Sequence, residues 1–204
     1  MKRFCFLLVF QVILMAGSGY THTVDAGNVL FVDPQTNTYD LAPYLSYIED
    51  AKGTLAIEQI WEPDKKIQWQ HVPNDAVNFG YTRAAFWFKL TLSNPETIPL
   101  QRVIEIAYPV LDQIDIYQGT AGEKMLHTKM GDKQPFYQRP ILHRNFFRPV
   151  TLAPNKPLKL FIRVKTSSSM QIPINLWKER IWMADSLNES LNLGLFFGIM
   201  LIMG

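Results

Sequence analysis

Cysteine is almost missing from this sequence. The single one, Cys5, lies inside an apolar N-terminal run, so the rest of the chain can build neither a disulfide framework nor a catalytic thiol. Metal patterns are missing too: His22, His71, His127 and His143 have no spacing that closes a zinc site, and no acidic loop is dense enough for calcium. No glycine-rich phosphate cradle occurs. Gly17-Ser18-Gly19 follows the apolar run as its small-residue exit and is no nucleophile elbow. Neither sign of charge is in excess, with 20 lysines and arginines facing 18 aspartates and glutamates, which removes any global bias toward nucleic acid. Asp112 and Asp115 invite an acid–base reading, but an offset of three on a strand turns them to opposite faces and favours structural or turn roles. Without a carboxylate pair, a triad or a metal cluster, an enzyme is the weakest class, and no cofactor is expected.

What is present begins with the N-terminus. Lys2 and Arg3 precede the apolar run Phe4 to Ala16, the pattern of a secretory signal peptide over residues 1–18. An uncleaved signal anchor is the alternative, although the run is shorter than the ~20 residues of a spanning helix. Either way the chain that follows lies outside the cytoplasm. The remainder, in a chain of 204 residues with 48% apolar and 13% aromatic content, is long enough to bury one sizeable core.

The organising stretch runs from Asn78 to Asn94. Phe86, Phe88, Leu90 and Leu92 alternate with Trp87, Lys89 and Thr91, the period of a strand with one buried face, and Ser93-Asn94-Pro95 ends it. Residues 19–38 form a polar lead-in, with a possible edge strand at Val29 to Val32. Lys52-Gly53 reads as a turn, and Thr54 as the N-cap of a short helix through Ile57, Ile60 and Trp61. Alternation returns at 103–108, 113–117, 158–165 and 172–176, with breakers between. Many short strands at this spacing predict an all-β fold, an antiparallel β-sandwich or jelly roll, over residues 39–177. Pro173 demotes the last strand to an edge or a bulge, and that strand is the natural exit from the sandwich.

Past Trp177 the pattern changes to a linker helix at 178–190 and an uncharged run at 191–204. At about 1.5 Å per residue, that run is too short to cross a ~30 Å hydrocarbon core. It reads either as the truncated start of a transmembrane helix, with Trp182 as interfacial anchor and Gly194 and Gly198 on a packing face, or as an apolar core helix. Truncation is the favoured alternative.

Taken in order, several motifs resemble a known family. They are Asn78-Phe79-Gly80-Tyr81-Thr82, Phe86-Trp87-Phe88-Lys89-Leu90, Asn94, Tyr108-Pro109-Val110-Leu111-Asp112 and Ile114-Asp115-Ile116-Tyr117, then Gly131-Asp132, Arg139-Pro140, His143-Arg144-Asn145-Phe146, Ile172-Pro173-Ile174-Asn175-Leu176-Trp177 and Gly194-Leu195-Phe196-Phe197-Gly198. The set resembles extracellular domain 2 of bacterial seven-transmembrane receptors with diverse intracellular signalling modules, over roughly residues 39 to 204. The resemblance implies a jelly roll similar to carbohydrate-binding modules, held in the periplasm on the inner membrane of a bacterium. It also implies seven helices and an output module, often a diguanylate cyclase or a histidine kinase, whose residues are not among these 204.

The candidate ligand-binding residues are the aromatic and basic side chains at strand ends: Tyr81, Arg83, Trp87, Tyr117, Tyr137, Arg139, His143 and Arg144. Rings that stack on sugar faces, mixed with cations that take hydroxyls or acids, suit a saccharide or a small anion. Arg83 and Arg144 are expected to converge on one pocket. The competing reading makes Trp87 packing and pairs the arginines with Asp112 or Asp115. Behind a signal peptide the basic stretch Arg139 to Arg148 has no nucleic acid to meet. Two functions follow: a periplasmic ligand-sensing domain tied to the membrane by its C-terminal helix, or an interaction module that docks a periplasmic protein partner or forms a homodimer.

Overall fold

The computed structural model describes residues 29–61, 67–72, 77–120 and 124–203; the expected signal peptide lies outside them. In chain order the strands are β1 (Val29–Phe31), β2 (Thr38–Asp40), β3 (Ser46–Asp50), β4 (Gln70–His71), β5 (Asn78–Tyr81), β6 (Ala85–Ser93), β7 (Leu100–Ile106), β8 (Gln113–Gly119), β9 (Leu126–Met130), β10 (Phe146–Leu152), β11 (Leu158–Lys165), β12 (Ser169–Gln171) and β13 (Ile174–Lys178). Two α-helices join them, α1 (Ile57–Trp61) and α2 (Glu179–Met203).

The strands make a β-sandwich. One sheet has the order β4-β3-β6-β11-β8-β9, with β1 beside β6; the other has β10-β7-β13-β2; β12 and β5 form a separate pair. All the strand pairs are antiparallel except β1 on β6. β6 is central, as its alternation predicts. Phe86, Phe88, Leu90 and Leu92 face Val164, Ile162, Leu160 and Leu158 across the β6–β11 register, and all eight enter the main core. Leu100, Ile104, Ile106, Phe146, Ile174 and Leu176 close that core from the four-stranded sheet.

Trp87 points to the other side, yet it is only 1% exposed. The segment that covers it carries α1. Ile57, Ile60, Trp61, Ile67 and Trp69 pack with Ile48, Trp87 and Phe161 into a second apolar cluster on the outer face of the large sheet. The helix starts two residues later than Thr54 suggests. The Asp50 carboxylate takes the Thr54 and Leu55 amides, and the Gln59 side chain reaches back to the Ala56 amide at 3.0 Å, as an N3 glutamine does in a capping box.

β1 forms at the possible edge strand and pairs with β6 alone, and the buried Arg102 guanidinium donates to the Thr36 and Asp33 carbonyls at 2.8 and 2.6 Å, tying down the loop that follows β1. Burial lowers the Arg102 pKa first, with Tyr39 and Asp33 acting against it. The last strand is no edge: β13 starts after Pro173 and lies between β7 and β2, so the proline takes no ladder position and its carbonyl accepts from the Ala107 amide. β9 and β10 lie outside the alternating runs named above. Pro149 and Arg148 interrupt the pattern of β10, which tolerates them because it pairs on one side only.

β13 does serve as the exit, running directly into α2. The linker and the apolar run are one continuous helix, whose Trp182 ring lies 5.0 Å from Phe147 on the outer face of the four-stranded sheet. Beneath it the buried Glu105 carboxylate accepts from Trp177 Nε1 at 2.7 Å, Asn145 Nδ2 at 2.8 Å and Asn175 Nδ2 at 3.5 Å. Among the described residues no helix is long and apolar enough to cross a membrane.

Candidate functional site

One end of the large sheet opens into a cleft of about 780 Å³. Four loops meet there because β6 and β8 begin, and β9 and β11 end, at the same edge of the sandwich. Tyr81, Thr82 and Arg83 come from the β5–β6 turn, Asp112 and Gln113 from the start of β8, Lys133 from the loop after β9, and Lys165, Thr166 and Ser167 from the end of β11. In the turn, Gly80 has a φ of 66°, a backbone state that glycine adopts without strain, and its amide donates to Asn78 Oδ1 at 3.0 Å. That bend sends Tyr81 outward, where it is 85% exposed.

Among the described residues three cations and one carboxylate line the cleft, and the carboxylate is already engaged. Asp112 accepts from Lys133 Nζ at 2.7 Å and from the Ser167 amide at 2.9 Å. Burial pushes its pKa up, but the bonds from Lys133 and Ser167 outweigh it and hold the carboxyl below the ordinary 3.8. Lys133 is shifted the opposite way, above 10.5, chiefly by its bond to Asp112. Gly131 sets up the pair. With φ at 129°, it passes so close to the Asp112 carbonyl that a Cβ would sit 2.2 Å from that oxygen, and the Asp132 amide donates to Leu111 O. Only a residue without a side chain lets this crossing place Lys133 over Asp112.

The eight residues singled out from sequence separate into three places. Tyr81 and Arg83 line the cleft. Trp87 and Tyr117 lie on the outer face of the large sheet, their rings stacked at 5.7 Å, with Tyr117 stacked in turn on His127 at 4.2 Å. Trp87 therefore leaves the candidate set, because the α1 segment has taken its surface. Tyr117 has its pKa raised by burial and then by the charge of Asp115; Asp115 itself meets His127 at 2.8 Å and Arg163 at 3.6 Å.

Tyr137, Arg139, His143 and Arg144 occupy the loop between β9 and β10. Arg139 binds its own loop: Nη1 donates to the His143 and Arg144 carbonyls at 2.6 and 3.0 Å, and the guanidinium lies over the rings of Phe136 and Phe146 at 4.8 and 4.6 Å. Burial lowers its pKa. His143 Nδ1 accepts from the Asn145 amide, and its ring meets Phe147 edge-on. Tyr137 is 77% exposed. Arg144 does not line the cleft with Arg83, so the expected convergence of the two arginines does not occur.

Sequence reasoning missed Lys133, Lys165 and Ser167 as cleft residues. Gly131-Asp132 was the available signal, since a glycine between a strand end and a lysine marks a close backbone approach.

The family model described as 7TMR-DISM extracellular 2 matches residues 42–178. The chain belongs to this family. The 7TMR-DISM match spans the sandwich from the segment before β3 to the last residue of β13 and stops where α2 begins. The domain is thus an extracellular sensor domain of the 7TMR-DISM receptors. No curated protein matches the chain. A solved structure of carbohydrate-binding modules from the β-sandwich superfamily is 13% identical, covering 70% of this chain and 53% of its own, with a TM-score of 0.27. The chain spans about half the length of that structure, and so low a score carries no argument about a ligand.

Several residues that carry the family resemblance do structural work. Asn94 is fully buried, and its Nδ2 donates to the Ile98 and Leu152 carbonyls at 2.8 and 2.9 Å. Gly131 makes the cleft crossing, and Asn145 and Trp177 hold Glu105 under the root of α2.

Proposed function

We propose that the domain senses a small acidic ligand, such as an acidic saccharide, in the cleft between Tyr81, Arg83, Lys133 and Lys165. The observation that carries this reading is the imbalance of charge: among the described residues three cations line the cleft, and the one carboxylate there is held by Lys133 and Ser167. An anion gains charge-assisted hydrogen bonds there, and the exposed Tyr81 ring can cover an apolar sugar face.

Signalling needs the ligand to bind two states unequally. The loop after β9 connects the relevant parts. It begins at Lys133 on Asp112 and ends at Asn145 and Phe147, which hold Glu105 and Trp182 at the root of α2. An anion competing with Asp112 for Lys133 would move the start of this loop and thereby bias the helix. In this reading α2 leads to the membrane domain of a periplasmic receptor, and the output, a diguanylate cyclase or histidine kinase by resemblance, belongs to the whole receptor.

The test is a thermal melt of the protein against glucuronate, galacturonate and their neutral sugars. At about 100 times Kd a ligand adds ~2.7 kcal/mol, a rise of a few degrees, which Arg83→Ala should remove. A flat panel, or a shift that survives Arg83→Ala, Lys133→Ala and Lys165→Ala, would sink the proposal. One observation favours a protein partner as the second reading: Phe136, Tyr137 and Leu142 are each more than half exposed on one loop. A mass that rises with concentration and is reset by Tyr137→Ser would support it.

A further inference from the structure

The opposite end of the large sheet holds a second, smaller cleft of about 350 Å³. It opens between the free edges of the two sheets, where β8 ends, β9 and β11 begin, and β10 runs alongside. Leu126, Pro149 and Leu158 make apolar walls, and Lys124 and Lys156 also line it. Gln118 occupies a core-facing position of β8, opposite Leu160 and Leu126.

Two polar atoms in this cleft are unexplained by the fold. Gln118 Oε1 and Thr120 Oγ1 are both buried, and neither has a hydrogen-bond partner among the described residues. Buried acceptors are nearly always paired, and each exception calls for a missing donor. Leaving such a group unmet is costly, so two of them at this end of the sandwich are expensive unless something fills the space. Packing does not require polarity here: Leu160 and Leu126, in register with Gln118 on both sides, are apolar. A leucine at 118 would satisfy the core, whereas a glutamine gives the cleft an acceptor.

We propose that this cleft is a second ligand site, distinct from the one at the α1-distal Tyr81 end, and that it takes a small hydroxylated carboxylate of the hydroxy-acid or sugar-acid class. The hydroxyls donate to Gln118 Oε1 and Thr120 Oγ1, and the carboxylate meets the Lys124 ammonium group. A volume of 350 Å³ lies at the small end of the range for ligand pockets. Among the described residues no aromatic side chain lines the cleft, so the ligand is recognised by its hydroxyls and charge and not by ring stacking.

Titration calorimetry of the 204-residue chain in detergent micelles, with gluconate and with hexanoate as probes, tests the assignment. The two are six-carbon carboxylates, and only gluconate carries hydroxyls. A site built around buried acceptors discriminates strongly against an analogue that leaves them unpaired, so gluconate should bind at least about tenfold more tightly than hexanoate. Gln118→Leu should remove that preference while the protein stays folded, and Lys124→Ala should weaken gluconate; Arg83→Ala, in the other cleft, should change neither. Absence of gluconate binding, equal binding of the two probes, or binding lost in Arg83→Ala and kept in Gln118→Leu would overturn the proposal. A Gln118→Leu protein that does not fold would be replaced by Thr120→Val, for which the same loss of preference is required.

Discussion

Tyr81 and Trp87 stand six residues apart on consecutive strands, β5 and β6, and end in opposite surroundings. Tyr81 is 85% exposed at the rim of the larger cleft; Trp87 is 1% exposed beneath the α1 segment. Their local sequence does not foretell the difference: neither ring enters the main core, and each has a basic residue two positions on, Arg83 and Lys89. The difference is made elsewhere, by a covering segment that supplies Ile57, Ile60, Trp61 and Trp69 to one ring and nothing to the other. An outward-facing aromatic on a strand is therefore a surface residue only until a distant segment folds over it.

The sharpest way to break this comparison is to truncate the buried ring. Trp87→Ala should cost about 3–5 kcal/mol, the usual range for removing a fully buried large aromatic. Denaturant unfolding followed by fluorescence of the remaining tryptophans measures it. A loss below about 1 kcal/mol would mean that the α1 segment does not cover the sheet, and Trp87 would return to the list of ligand-binding candidates.

A smaller effect distinguishes the cleft from the covered face by its charge. Asp112 is held below the ordinary carboxylate value of 3.8 by Lys133 and Ser167. A depressed folded pKa contributes stability that is present above the unfolded value and is lost as pH falls through the folded one. The melting temperature of the wild type should therefore drop more steeply than that of Asp112→Asn below about pH 3.8, and the two curves should run parallel from there to neutral pH. Lys133 is 57% exposed, so solvent screens the pair and its contribution stays well below the tryptophan effect. Coincident slopes below pH 3.8 would show that the pair does not persist in solution.

Much of the fold was legible because it rests on period-two patterns. The alternation in β6, β8 and β11 gave the core face residue by residue, and Lys52-Gly53 gave the turn that closes β3, with Gly53 at a φ of 67°. β10 was hidden because Pro149 and Arg148 break its pattern, which an edge strand permits. The position of β13 was misjudged for a related reason: Pro173 sits just before the strand and so places no limit on the strand's neighbours. The site was legible only in part. Tyr81 and Arg83 could be found from their turn, but Lys133, Lys165 and Ser167 join them through strand order, which no local pattern contains. Arg139 looked like a ligand contact because the sequence shows its charge and conceals the two carbonyls that occupy it.

The smallest expected effect closes the comparison from the other side. Tyr81→Ala should leave stability within about 0.5 kcal/mol of wild type, as substitutions at exposed positions without buried partners do. The backbone conformation there is set by Gly80 and by the Asn78 side chain on its amide, so the turn does not need the ring. If uronate binding is lost in this variant while the unfolding midpoint stays put, the ring is kept at the rim for recognition and not for folding. A drop above about 1 kcal/mol would mean that Tyr81, like Trp87, is covered in solution, and the contrast between the two rings would disappear.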